Sequence, residues 1–173
     1  PATKDKISII NNGLNLSIFP PLTTKIPNSF IYSSCSERGL DKILNLWEEL
    51  LKHLPDAQLF IASYNAFPNS DPEREMDKII QKHDSIHHLG QLSQPELYKR
   101  MAISEYWLYP TNWPETSCIT SLEMLKNEVI CLYYPIAGLV NTLGEYGIVI
   151  EPTKEIEKII SLTSDEKEQI KTK

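Results

Sequence analysis

The sequence predicts an α/β domain built on a doubly wound, parallel sheet of about six strands. Two observations carry that expectation. Short apolar runs alternate with stretches of helical period along most of the 173 residues, and the runs end in clusters of small or turn-forming residues. Parallel neighbours need crossovers of this length, and such crossovers are right-handed. A sheet of this kind takes its ligand at the carboxyl ends of its strands. The loops at Ser33, Gly90, Pro110 and Tyr133 are therefore expected to share one edge.

In chain order, residues 7 to 10 read as a short strand, and Asn11-Asn12-Gly13 is a strong turn signal. Pro20, Pro21 and Pro27 make the following stretch an extended connector. The first firm strand is 30 to 32, followed by a small, polar loop that ends in Arg38-Gly39. From Leu40 to about residue 54, Leu40, Ile43, Leu44, Trp47, Leu50 and Leu51 form one helical stripe. A second strand is expected at 57 to 62, a loop at 64 to 72 and an amphipathic helix from 73 to about 82, with Met76, Ile79 and Ile80 inward. Strand 85 to 89, the loop at Gly90 and a short helix from 95 to 101 follow. The remaining strands are expected at 106 to 109, 129 to 132 and 148 to 150, with helices from Ile119 and over 136 to 143. Polar helices at 155 to 160 and 165 to 171 read as a tail trailing off the domain. This gives three parts: a connector over 1–27, the sheet domain over 28–152 and a helical tail over 153–173.

Composition narrows the partners. Hydrophobic residues make up 41% and charged residues 23% of the chain, the balance of a globular protein able to bury a core. A formal charge of −6 lacks the basic face of a general nucleic-acid binder. No apolar run approaches the ~20 residues of a membrane span, and no signal-peptide pattern opens the chain. Cys35, Cys118 and Cys131 are widely spaced and lack zinc-ligand spacing, so they read as reduced thiols of a cytoplasmic protein.

The chemistry concentrates in residues 106 to 125. A short aromatic strand gives way to a loop that Pro110 and Pro114 keep irregular. Thr116 and Ser117 are good N-cap types for the helix that follows, and Ile119, Leu122 and Leu125 are spaced for its inward face. Backbone N–H groups at a helix start favour a phosphate, whereas the nearby carboxylates Glu115 and Glu123 suit hydroxyl groups. Phosphate and hydroxyls side by side describe a sugar nucleotide.

The order of four loops is more specific than the two glutamates, which stand with seven residues between them. NNGLNLSIF, SERGLDKIL, HLGQLSQPELY and YPTNWPETSCITSLEM together resemble the nucleotide-sugar domain of retaining, family 4 type glycosyltransferases of the GT-B architecture. The resemblance covers roughly residues 7 to 152. It implies a Rossmann-like C-terminal half whose N-terminal partner half carries the acceptor site, and whose contact with a membrane, if any, runs through that missing half. It also implies that Glu115 lies by the donor sugar and that Glu123 holds the ribose hydroxyls. Arg38 would grip the diphosphate, while Gly90, Gln91 and Leu92 would recognise the base, uracil or guanine. Thr116, Ser117 and Cys118 stand where the family has Gly-Phe-Gly, and Ser33 stands where it has a second Arg. Both departures are read as a subgroup variant. No metal and no cofactor beyond the donor itself is expected, since Arg38 can take a cation's place and no Asp-x-Asp element occurs.

Other features have plainer readings. His87 and His88 are adjacent on a strand and face opposite ways, which suits structure better than a ligand pair. Cys118 reads as a small packed residue, Trp47 and Trp107 as core, and Trp113 as packing or a contact to donor or acceptor. The expected function is donor binding for a retaining glycosyltransferase, inactive as this isolated half. The rival is a non-catalytic Rossmann-like nucleotide-binding or interaction module; a sugar-nucleotide epimerase of the same architecture ranks third.

Overall fold

The computed structural model describes residues 8, 10–63 and 71–171. Six parallel strands form one sheet in the order β3-β2-β1-β4-β5-β6. They are β1 (Ile26–Tyr32), β2 (Gln58–Ile61), β3 (Ile86–His88), β4 (Ser104–Tyr109), β5 (Ile130–Tyr133) and β6 (Ile148–Val149). The helices between them are α1 (Leu40–His53), α2 (Asp71–Lys82), α3 (Gln94–Ile103), α4 (Ile119–Lys126) and α5 (Gly138–Leu143). The chain winds outward from β1 to β3, returns to β4 beside β1, and winds outward again to β6. The reversal between β1 and β4 is a topological switch point, where a crevice opens beyond the carboxyl ends.

Burial follows the sequence pattern. All six residues of β4 are buried, as the centre of a sheet covered on both faces requires. On α1, Leu40, Ile43, Leu44, Trp47 and Leu50 are buried. Phe30 stacks on Tyr106 at 4.9 Å between ring centres and meets Trp47 edge-on, tying α1 to the two central strands. Trp47 and Trp107 are both core.

Four expectations need correction. The strand at 7 to 10 falls partly outside the described residues, and Ser8 and Ile10 belong to no strand. β1 begins at Ile26 and takes in Pro27, because the pairing with β4 shifts register between Ile26 and Phe30 and Asn28 adopts a φ of 55°; a bulge at a strand start tolerates proline. On α4 the predicted inward stripe is half wrong. Ile119 is 46% exposed, and the buried face is Ser121, Glu123 and Met124. Burying polar groups costs little here, since Ser121 Oγ donates to Cys118 O at 2.6 Å and Glu123 also finds a donor. Finally, the tail does not trail away. α6 (Glu155–Ser161) packs on α1 and buries Glu155 and Ile159, and α7 (Ser164–Lys171) lies against β5. Of the expected loop at 64 to 72, residues 64–70 lie outside the described residues, and α2 starts at Asp71.

The stretch before β1 is anchored at two points. Phe19 stacks flat on Tyr98 of α3 at 4.1 Å. Lys25 Nζ donates to the carbonyls of Met101, Ala102 and Asn127, closing the ends of α3 and α4 with a single cation.

Candidate functional site

Two loops meet at the switch point, one bringing Arg38 and the other Glu115. After β1 the chain makes a short 3-10 turn (Ser36–Arg38) and reverses at Gly39, whose φ is 102°. Glycine is required there twice over: the φ lies in the left-handed region, and a Cβ would come within 3.0 Å of the Pro110 carbonyl oxygen. That close approach brings the β1 loop against the β4 loop. Arg38 Nη1 then donates to Glu115 Oε1 at 2.7 Å.

Glu115 is held from several sides. Tyr109, the last residue of β4, donates its hydroxyl to the same Oε1 at 2.8 Å. The Glu115 backbone carbonyl accepts from Gly138 N at 2.7 Å. A Cβ at Gly138 would lie 2.3 Å from the Thr116 carbonyl oxygen, so only glycine lets α5 dock on this loop. Arg38 keeps a third of its side chain exposed and lies over the Trp113 ring at 5.2 Å. Burial works against its charge, but Glu115 and Tyr109 more than offset it and hold the guanidinium above its ordinary pKa.

Glu123 sits in a different setting. It lies in the second turn of α4, is 9% exposed, and accepts the Tyr98 hydroxyl on Oε1 at 2.6 Å. Gln94 Nε2 donates in turn to Tyr98 Oη at 2.8 Å. Burial and the neighbouring Glu123 push the Tyr98 phenol up to about 12, so it remains a donor at any neutral pH.

A cavity of about 340 Å³ opens beside these groups, lined among others by Ser34, Arg38, Ser63, Gln91, Leu92 and Thr120. It therefore touches the carboxyl ends of β1, β2 and β3 and the first turn of α4, where the helix dipole is positive. Of the expected donor residues, the structure brings Arg38, Gln91 and Leu92 to this cavity, with Glu115 bonded to Arg38 at its rim. Gly90 shapes the Gln91 loop with a φ of 67°. Glu123 lies one turn along α4 from Thr120.

Three expected residues do not join them. Thr116 and Ser117 are exposed and border another cavity. The N-cap of α4 is Cys118, which makes no side-chain cap bond. Its thiol is buried, and burial raises its pKa to about 11, so it is a packed, unreactive group. His87 bonds Gln58 and stacks on Phe60, which confirms its structural role. Sequence reasoning missed Tyr109 and Tyr98, the donors that aim the two glutamates. In sequence they look like ordinary core aromatics.

No protein-family model matches the sequence, and no curated protein matches it. Solved structures do match in shape. HepE from Anabaena, solved with UDP and glucose, superposes with a TM-score of 0.75 at 16% identity, over 95% of this chain and 50% of that one. The C-terminal domain of LpcC, a group 1 family glycosyl transferase from Francisella tularensis, gives 0.72 at 16% identity, over 92% and 93%. This chain has the fold of a GT-B C-terminal domain. A trehalose-6-phosphate synthase studied for glycosyl transfer with retention matches at 0.64 and 13% identity, over 86% of this chain and 40% of that one. The chain thus spans half or less of the whole GT-B proteins it matches, and nearly all of the isolated GT-B C-terminal domain.

Proposed function

We propose that this domain binds a nucleoside diphosphate sugar and serves as the donor half of a retaining glycosyltransferase. The observation that carries the reading is the cavity at the switch point with Arg38 at its wall. That cavity joins a cation to the positive end of α4 within one GT-B C-terminal fold, with Glu115 paired to the cation and Glu123 farther along α4. The diphosphate sits on Arg38 and the first turn of α4. The ribose lies toward Glu123, and the base lies against the Gly90–Leu92 loop. No metal or further cofactor enters this reading.

The ion pair refines the roles. Arg38 and Glu115 neutralise each other across the crevice, so an arriving diphosphate competes with Glu115 for the guanidinium. Glu115, kept in place by Tyr109, then faces the sugar hydroxyls. During transfer the leaving diphosphate gains charge while the sugar becomes oxocarbenium-like. Arg38 and the helix dipole stabilise the former, and Glu115 orients the latter. Retention requires the acceptor on the face the diphosphate leaves, which a second, N-terminal half supplies. This half alone is therefore expected to bind donor without turning it over.

Calorimetric titration of the chain with UDP-, GDP- and ADP-sugars tests the reading. Saturable binding of one base class, lost with Arg38→Ala, is the expected result. Absence of binding to all three leaves a Rossmann-like interaction module as the function.

A further inference from the structure

The two anchors of the stretch before β1 converge on one pair of helices. Phe19 lies flat on Tyr98 of α3, with ring centres 4.1 Å apart and ring planes 9° from parallel. Farther along the stretch, Lys25 Nζ donates to Met101 O and Ala102 O in the last turn of α3 and to Asn127 O at the end of α4. The stretch thus follows α3 toward its C-terminal end and closes there on both helices.

The same two helices hold Glu123. The single phenolic proton of Tyr98 goes to Glu123 Oε1 at 2.6 Å, while Gln94 Nε2 donates to Tyr98 Oη at 2.8 Å. One turn on, Asn127 Nδ2 donates to Glu123 O at 2.9 Å and reaches Met101 Sδ at 3.8 Å. Glu123 therefore takes its aim from the way α3 sits against α4. Phe19 and Lys25 are the side chains that fix that seating from outside the two helices.

The flat stack does more than cover an apolar ring. A phenol's proton lies near the ring plane, so a tilt of Tyr98 redirects the hydrogen bond that it gives to Glu123. Any aliphatic side chain could keep water off this face, but only a second flat ring also sets its plane. Tyr98 is 2% exposed, whereas Phe19 is half-buried and comes from a stretch outside the sheet and its helices. We infer that Phe19 is a positioning residue for Glu123, acting through Tyr98, so that the stretch before β1 sets how well the domain holds ribose hydroxyls. The inference rests on the reading of Glu123 as the ribose ligand and adds to it a residue that touches no part of the donor.

The test compares UDP with 2′,3′-dideoxy-UDP by calorimetry on the full 173-residue chain. The ratio of the two affinities isolates the ribose hydroxyls, and a merely structural loss would lower both affinities and leave the ratio alone. Phe19→Leu and Phe19→Met keep bulk without a flat ring. Each should weaken UDP about threefold, the size of one misaimed hydrogen bond, and leave dideoxy-UDP unchanged. Phe19→Tyr keeps the stack and should restore the unaltered ratio. In a Tyr98→Phe background, Phe19→Leu should cost UDP nothing further, because the hydroxyl it steers is already gone. The inference is overturned if both aliphatic variants weaken the two nucleotides equally, if both leave the ratio unchanged, or if the losses of Phe19→Leu and Tyr98→Phe add in full. An unaltered chain that binds the two nucleotides equally, or binds neither, overturns the ribose reading of Glu123 and this inference with it.

Discussion

Glu115 and Glu123 are both buried carboxylates that accept a tyrosine hydroxyl, yet they are built for opposite tasks. Glu115 stands on an irregular loop, and its charge is met by Arg38 at 2.7 Å. Glu123 stands on a regular helix, and its donor at Oε1 is the neutral Tyr98. A carboxylate paired with a partly exposed cation can exchange that partner when an anion arrives. One aimed by a phenol keeps its full charge for incoming hydroxyl groups. On the proposed donor-binding reading, the difference assigns switching to the Arg38–Glu115 pair and fixed recognition to Glu123.

Four mutations sharpen or break that contrast, ordered from the largest expected effect. Arg38→Ala should weaken UDP roughly ten- to a hundredfold, as expected for a lost charged hydrogen bond of about 1.5–3 kcal/mol. It should leave uridine untouched, and the loss should shrink at high salt because the side chain is partly exposed. Equal losses for uridine and UDP would move Arg38 away from the diphosphate. Glu123→Gln should weaken uridine, UDP and the intact donor alike, by about tenfold, which calorimetry with the three ligands reads directly. Glu115→Ala should behave in the opposite way. With its competitor gone, Arg38 should hold bare UDP at least as tightly as before, while the sugar-bearing donor loses affinity. A drop for bare UDP would show that the ion pair assembles the diphosphate site and does not compete with it. Smallest is Tyr98→Phe. It removes one aiming hydrogen bond and should cost ribose-containing ligands only a few-fold, with a stability loss of about 1 kcal/mol in urea melts.

Much of this was legible in the sequence, and the reasons are physical. Apolar period and turn residues placed all six strands, because a parallel sheet buries its strands on both faces and leaves them as plain apolar runs. Arg38 and Glu115 stood in loops that strand order alone brings together. What the sequence hid depends on contacts remote in the chain. Pro27 looked like connector because the bulge that admits it is a matter of pairing with β4. The face of α4 was misread because the buried Glu123 finds its donor in Tyr98, 25 residues earlier in the chain. Thr116 and Ser117 looked like caps and donor ligands. The helix starts at Ile119 as expected, but its cap is Cys118, and both side chains border the cavity on the other flank of α4. The tail helices looked loose because their buried groups are few: Glu155, which accepts from Tyr134, and Ile159 with Leu162.

A crystal structure of the chain soaked with UDP tests the central claim most directly. The account predicts the diphosphate within hydrogen-bonding distance of Arg38 and the first turn of α4. It also predicts the ribose hydroxyls on Glu123, the uracil against Gly90–Leu92, and the Arg38–Glu115 bond lengthened or broken. UDP bound elsewhere, or bound with Arg38 still closed on Glu115 and its phosphates out of reach, would contradict it.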